Sequence, residues 1–176
     1  RTLNAMNGTA LSRETLCALG LQVGADVPFC IAGGTALAEG VGEKLTALLP
    51  LPSCRIVICK PAVSVDTKKA YALADAAAKA KSGYCAAMLD AVRASDIRAV
   101  AASLGNEFEQ VMHLVEVNHI RDAMKASGAL GACMTGSGSA VFGIFTDLQD
   151  AARCKTKLLD YYQDVFLCEP IREITL

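Results

Sequence analysis

One segment that could do chemistry is residues 24–29 (G-A-D-V-P-F), which carry a single carboxylate among small and apolar residues. A residue before proline favours extended backbone and proline has a fixed φ, so the segment would hold Asp26 rigidly, as a general base requires. The alternative is a turn-forming aspartate that hydrogen-bonds its own backbone, and spacing alone favours that interpretation.

A second candidate is the run Thr135-Gly136-Ser137-Gly138-Ser139. Glycines let successive N–H groups converge on an anion, and the hydroxyl groups add donors. The run is not a dinucleotide-binding fingerprint, because no further glycine stands at the required position and a strand is predicted next. A tight hairpin loop explains the same residues equally well.

A third candidate is residues 61–71 (P-A-V-S-V-D-T-K-K-A-Y), where a predicted strand ends and a helix begins. Ser64, Thr67 and Tyr71 could contact a small molecule there, although Tyr71 could equally pack on the sheet. Gly33-Gly34 and residues 39–43 are interpreted as turns. His113 and His119 lie about 240° apart on a predicted helix, so no metal or acid–base pair is expected.

Composition excludes several classes of function. The 17 lysines and arginines balance 18 aspartates and glutamates, for a net charge of −1, so no nucleic-acid partner is expected. Hydrophobic residues make up 53% and charged residues 20%, which predicts a packed core. The uncharged run 127–146 is long enough for a bilayer, but its glycines and hydroxyl residues argue against a membrane span.

The eight cysteines show no C-x-x-C spacing, and only Cys54 and Cys59 are close in sequence. Zinc sites need close cysteine or histidine pairs, which are missing from the pattern. We therefore interpret the cysteines as small buried side chains of a reduced, cytoplasmic protein, and no metal ligand is assigned.

The order of predicted elements indicates an α+β fold. Helices are predicted at residues 1–7, 12–20, 66–80, 84–93, 96–104, 107–127 and from 147 to 161 or 162, and strands at 30–39, 55–60, 131–134, 140–145 and 164–168. Pro50 and Pro52 disfavour helix and predict a stiff connector. Strands separated by helical excursions suggest an open sheet with helices packed on one face.

Five motifs then occur in a familiar order. They are L-N-A-M at 3–6, L-G-L-Q-V-G-A-D-V-P-F at 19–29, G-G-T-A-L-A-E-G-V-G-E at 33–43, the segment 61–71, and M-T-G-S-G-S-A-V-F at 134–142. Together they resemble the GHMP small-molecule kinases over essentially the whole chain. Within that family they most resemble the members that phosphorylate a cytidine diphosphate-linked methylerythritol in non-mevalonate isoprenoid (terpenoid) biosynthesis.

The resemblance implies roles for individual residues. Asp26 would be catalytic, accepting the proton of the substrate's 2-hydroxyl as that hydroxyl attacks the γ-phosphate of ATP. Tyr71 would stack on the cytosine ring, and Thr67 would face the substrate. The glycine loop near the phosphates would comprise Thr135, Gly136, Ser137 and Gly138. ATP and Mg²⁺ are the implied cofactors, with no magnesium ligand named. The alternatives are another GHMP kinase, for homoserine, mevalonate or a sugar, or a non-catalytic α/β binding module.

The resemblance also implies a domain division. Residues 50–176 would form the GHMP kinase C-terminal domain, a ferredoxin-like α/β sandwich, and residues 1–49 a remnant of the N-terminal ATP-binding domain. In this family a glycine-serine loop (P-x-x-x-G-L-G-x-S-S) and a catalytic lysine precede L-N-A-M. No such pattern occurs in these 176 residues. We therefore expect a C-terminal fragment that has no kinase activity alone.

Overall fold

The computed structural model describes residues 1–77 and 83–171 of the chain. These residues form two compact units, one of Arg1–Leu51 with Ile171 and one of Pro52–Pro170. The division into domains 1–49 and 50–176 stays a prediction.

The first unit contains three short helices followed by a hairpin. In chain order they are α1 (Thr2–Met6), α2 (Arg13–Leu21), α3 (Val27–Ala32), β1 (Ala36–Glu39) and β2 (Lys44–Ala47). The hydroxyl of Ser12 accepts a hydrogen bond from the N–H of Thr15 at 3.2 Å, so Ser12, where the predicted helix begins, caps α2. β1 and β2 pair antiparallel around the predicted turn at residues 40–43.

Two expectations for this unit are wrong. Val27 is not held extended before Pro28 but is the first residue of α3, whose first turn accommodates the proline because its missing N–H is not needed there. The strand predicted from Cys30 begins only at Ala36. Residues 30–32 complete α3, and Gly33, with φ +71°, ends it. The pairing strand β2 had no separate prediction.

The second unit is built on a four-stranded antiparallel sheet. Its strands are β3 (Arg55–Lys60), β4 (Gly131–Met134), β5 (Val141–Phe145) and β6 (Asp164–Cys168), in the spatial order β4-β5-β3-β6. The four predicted strands are confirmed. The two inner strands are the first and third of the unit, which is the ferredoxin-like arrangement of two β-α-β halves.

Helices connect these strands. They are α4 (Thr67–Ala76), α5 (Tyr84–Arg93), α6 (Ile97–Ala102), α7 (Glu107–Val111), α8 (Val115–Ala126) and α9 (Leu148–Leu159). Asp66, Asp96 and Asp147 each accept two N–H groups at the start of α4, α6 and α9, as side-chain caps do. The predicted end of the first of these helices, residues 78–80, lies outside the described residues. None of the helices in the described ranges is long and apolar enough to cross a membrane.

The single helix predicted over residues 107–127 is wrong, because the chain forms α7 and α8 with a break at residues 112–114. In one continuous helix Phe108 would point about 160° away from Met124. Both side chains pack against the same core cluster, as does Met112. The break therefore lets two helical faces reach one core.

That core lies between the sheet and the pair α8 and α9. Ile120 and Met124 from α8, Cys154 and Leu158 from α9, and Phe145 from β5 are each at most 2% exposed. Gly143 lies directly under α8, since a Cβ there would be 3.0 Å from the sulfur of Met124. The glycine lets helix and sheet approach closely.

The burial of the cysteines predicts their reactivity. Burial raises the pKa of the Cys59 and Cys133 thiols to about 12, so at pH 8 only about one such thiol in 10⁴ is the reactive thiolate. Cys30 and Cys85 are exposed. In the native chain at pH 8 an aromatic disulfide reagent should label these two first, as read by peptide mass spectrometry. Labelling of Cys59 or Cys133 as fast as Cys85 would show that the core is open.

Candidate functional site

Asp26 stands at the start of α3, with its side chain exposed. Its carbonyl accepts the N–H of Cys30, at 3.2 Å, within the helix. Among the described residues its carboxylate caps no helix N–H and takes part in no ion pair. A turn-forming role through hydrogen bonds to its own backbone is therefore not seen, and the carboxylate is available to a ligand.

Two glycines position the segment around Asp26. A Cβ at buried Gly20 would lie 2.8 Å from Val27 Cγ1 and 2.9 Å from Ile31 Cδ1, so α2 and α3 meet at this point. Gly42 has φ +113°, and a Cβ there would lie 3.1 Å from the carbonyl oxygen of Ala25. The turn of the β1–β2 hairpin is thus placed against the residue that precedes Asp26.

The same turn is stabilised by Glu43. Its carboxylate accepts a hydrogen bond from the N–H of Val41 at 2.7 Å. Hydrogen bonds from its own backbone N–H and from that of Val41 lower the pKa of Glu43, so it remains ionised at neutral pH. Residues 39–43 therefore form a turn, as interpreted from the sequence, and this turn packs against the G-A-D segment at Ala25.

In the second unit the structure brings two predicted segments together. The hydroxyl groups of Thr67, at the start of α4, and Ser137, in the glycine loop, share a hydrogen bond of 3.1 Å. A further bond joins the same segments, because Ser139 Oγ donates to the carbonyl of Val63 at 2.5 Å. That carbonyl also accepts a hydrogen bond from Lys60 Nζ at 3.1 Å. Ser64 is exposed and makes no such contact among the described residues.

The loop from Thr135 to Ser139 is a tight turn between β4 and β5. Gly138 N–H donates to Thr135 O at 3.0 Å, and Gly136 and Gly138 have φ of +54° and +94°. Within residues 1–77 and 83–171 no acceptor is bonded to the N–H of Gly136 or Ser137. The loop is thus the hairpin that the sequence allowed, and it also presents free donors to an anion.

Tyr71 lies one helical turn after Thr67 on α4 and is 57% exposed. Its ring meets that of Phe108 on α7 edge to face, with centroids 5.0 Å apart and an angle of 79°. The contact fixes the tyrosine ring while more than half of the residue stays accessible. An aromatic surface held in this way suits a flat ring ligand.

Sequence reasoning missed Asn106, Phe108 and Glu109, which support this region. Asn106 donates a hydrogen bond to the glycine loop, and Glu109 accepts one from the end of β4. The ring of Phe108 packs against that of Tyr71. The asparagine before a helix predicts a cap, but no local signal predicts contacts to residues so distant in the sequence.

The histidines do not join the site. His113 is exposed in the break between α7 and α8, while His119 Nδ1 lies 3.0 Å from the hydroxyl of Tyr162. No group of three histidine, cysteine, aspartate or glutamate side chains suited to a metal ion occurs in the described part of the chain.

The fold of the second unit and its glycine loop agree with a sequence match. Residues 88–164 match the family described as "GHMP kinases C terminal". Residues 88–164 are thus similar to a GHMP kinase C-terminal domain, and the predicted ferredoxin-like fold class is confirmed.

Similar proteins of known name indicate a particular kinase within this family. The chain is 41% identical over 169 residues to 4-diphosphocytidyl-2-C-methyl-D-erythritol kinase of Caldicellulosiruptor saccharolyticus, which covers 95% of this chain and 58% of that protein. It is also similar to a crystal structure of 4-(cytidine 5'-diphospho)-2C-methyl-D-erythritol kinase, with TM-score 0.75, 29% identity, and coverage of 96% and 60%. The chain thus spans about 58% of the length of the curated relative.

A homoserine kinase from Cytophaga hutchinsonii superposes equally well. Its TM-score is 0.76, with coverage of 97% of this chain and 61% of that chain, but the identity is only 18%. This likeness therefore shows the fold alone.

Proposed function

We propose that a protein containing these residues is an ATP-dependent kinase that phosphorylates the 2-hydroxyl of 4-diphosphocytidyl-2-C-methyl-D-erythritol, in non-mevalonate isoprenoid biosynthesis. The observation that carries the proposal is the 41% identity, over 95% of the chain, to a relative of that name. The eight free thiols favour a reducing compartment, so we propose the cytoplasm as its location.

Asp26 is proposed as the group that accepts the hydroxyl proton. Phosphoryl transfer depends chiefly on positioning and on charge stabilisation, and a carboxylate that orients the attacking hydroxyl is a recurring part of such sites. Asp26 has an exposed carboxylate without an ion-pair partner among the described residues. Its neighbours Ala25 and Val27 are held by close glycine contacts, which keeps its backbone in place.

The glycine loop is proposed as a contact for phosphate oxygens. Among the described residues the N–H groups of Gly136 and Ser137 are free donors, and the hydroxyl pair of Ser137 and Thr67 keeps one further O–H beyond their mutual bond. Such donors fit an anionic ligand. ATP would supply the phosphoryl group. Mg²⁺ commonly keeps nucleotide phosphates among its ligands, and no residue of this chain is assigned to it.

Tyr71 is proposed to select the cytidine group. Stacking on an aromatic side chain contributes about 1–3 kcal/mol per base. Homoserine and mevalonate, the substrates of the alternative GHMP kinases, contain no nucleobase. The accessible ring of Tyr71, held by Phe108, therefore favours the cytidyl substrate over these alternatives.

Tyr71→Leu should raise KM for the cytidyl substrate about 10-fold and leave kcat within about 3-fold, because stacking is lost while the reacting groups remain. Tyr71→Phe should keep the KM near that of the parent. Tyr161→Leu is the matched control, since Tyr161 is 75% exposed and its ring meets His119 rather than Phe108. Equal KM values for Tyr71→Leu and Tyr161→Leu would remove Tyr71 from the substrate site.

The substrate itself is tested with a protein that contains these residues and the family's glycine-serine loop. Initial rates of ADP formation are compared for the cytidyl substrate, homoserine and mevalonate at equal concentrations. We expect kcat/KM to be at least about 10³-fold higher for the cytidyl substrate, since the others leave its binding groups unpaired. Faster turnover of homoserine or mevalonate would overturn the proposal.

A further inference from the structure

The side chain of Asn106 makes three hydrogen bonds at the base of the glycine loop. Its Nδ2 donates to the carbonyls of Met134 and Gly136, both at 2.8 Å, and its Oδ1 accepts the N–H of Phe108 at 2.8 Å. The amide orientation follows from these partners, because only the NH₂ can donate to two carbonyls and only the oxygen can accept an N–H. One side chain thus joins the start of α7 to the loop.

The bond to Gly136 also sets the direction of a donor on the loop. The peptide between Gly136 and Ser137 is trans, so its C=O and N–H point in opposite directions. Because the carbonyl points at Asn106, the N–H of Ser137 points away from it, and that N–H has no acceptor among the described residues. Asn106 therefore determines which way this free donor faces.

Glu109, three residues along the same helix, holds the adjoining strand end. Its carboxylate accepts the N–H of Met134 at 2.5 Å and pairs with Arg121 at 3.0 Å. The Glu109 side chain is 16% exposed and that of Arg121 27%, so the pair is largely shielded from solvent. Both backbone groups of Met134 are therefore hydrogen-bonded at this helix, the C=O to Asn106 and the N–H to Glu109.

Phe108 connects the same helix to the aromatic side of the site. Its ring supports Tyr71 at a centroid distance of 5.0 Å, and its N–H is the one that Asn106 caps. This five-residue helix and its cap Asn106 thus contact both features to which we assign ligand binding, the glycine loop and Tyr71.

We propose that Asn106 is a positioning residue, which holds the carbonyls of Met134 and Gly136 and so aims the N–H of Ser137 at the transferring phosphate. This inference rests on the proposed kinase function. Asn106 touches no reacting atom, so its effect should appear in kcat rather than in binding of the nucleobase.

The test uses two variants that keep the cap of α7. Asparagine, aspartate and serine are all favourable helix caps, so Asn106→Asp and Asn106→Ser should retain the bond to Phe108 N–H. Asn106→Asp turns a second oxygen toward the two carbonyls, and Asn106→Ser is too short to reach them. Asn7→Asp is the matched control, because Asn7 also donates its amide to a carbonyl, that of Leu3 at 2.8 Å, in the first unit.

We expect kcat to fall about 10- to 100-fold in both Asn106 variants, somewhat less than the loss on removing an oxyanion donor outright. KM for the cytidyl substrate should stay within about 3-fold, and Asn7→Asp should behave like the parent. An unchanged kcat in Asn106→Ser would overturn the proposal, and so would a rise in the cytidyl KM as large as the loss in kcat.

A measurement on the chain itself separates this inference from the proposed function. The heteronuclear ¹⁵N NOE of Gly136 and Ser137 should match that of β4 and β5 in the parent and drop in Asn106→Ser, since the loop loses its anchor. Unchanged NOE values would overturn the inference whatever the enzyme does. A parent protein that transfers no phosphoryl group to the cytidyl substrate would instead overturn the proposed function.

Discussion

Asp26→Asn should lower kcat by about 10²- to 10⁴-fold, the range of a lost general base. Asparagine keeps the size and the polar character of the side chain but cannot accept the proton of the attacking hydroxyl. KM for both substrates should change little, because binding would rest on other groups. The assay requires a protein that contains these residues together with the family's glycine-serine loop.

The fold should survive this change. Asp26 is exposed and its carboxylate caps no helix N–H among the described residues, so the far-UV spectrum and the unfolding midpoint should match the parent. Glu14→Gln is the control, since it removes another exposed carboxylate beside a helix start in the same unit. Turnover within about 3-fold of the parent would contradict a catalytic role for Asp26.

Phe145→Ala should destabilise the second unit by about 3–5 kcal/mol, the usual cost of emptying the space of a buried aromatic ring. Phe145 is 0% exposed and belongs to the cluster that contains Val57 and Met124. Total stabilities of domains are about 5–15 kcal/mol, so this single change removes much of what holds the glycine loop in place.

Tyrosine fluorescence measures this effect selectively, because all four tyrosines lie in the second unit and the chain has no tryptophan. The urea midpoint of Phe145→Ala should fall by at least about 1 M, given the typical dependence of stability on urea. Phe166→Ala, on β6, is the control, since Phe166 is 54% exposed and should cost under about 1 kcal/mol. Equal midpoints for the two variants would contradict the core described above.

Local signals predicted much of the second unit. β3 was predicted over residues 55–60 because the run R-I-V-I-C-K is short, rich in β-branched residues and followed by proline, and its bounds are those of the structure. Asp96 and Asp147 stand at the predicted starts of two helices, and their side chains satisfy free N–H groups of the first helical turn. Each of these signals acts within about four residues of chain.

The errors have a different physical origin. The break at residues 112–114 lets Phe108 and Met124 pack against one core. That core is formed by elements far apart in the sequence, so local signals do not predict the break. Val27 was predicted to be extended because the residue before proline usually is. Its packing against Gly20, which brings α3 onto α2, overrides that preference.

In the candidate site, too, the sequence indicated individual residues but not the contacts between distant ones. Residue type and spacing made Thr67, Tyr71, Ser137 and Asp26 candidates, the family resemblance implied their roles, and those roles stay predictions. The bond between Thr67 and Ser137 spans seventy positions, and no pattern in the sequence predicts it. Asn106 was missed for the same reason, since its partners on the loop lie 28 and 30 positions away.

³¹P NMR of the reaction mixture shows directly whether the phosphoryl group is transferred to the cytidyl substrate. A protein that contains these residues and the glycine-serine loop is mixed with ATP, Mg²⁺ and 4-diphosphocytidyl-2-C-methyl-D-erythritol. We expect one new phosphomonoester resonance, in equal amount to the ADP formed, with the diphosphate bridge of the substrate intact. Release of inorganic phosphate alone, or no consumption of ATP, would contradict the proposed function.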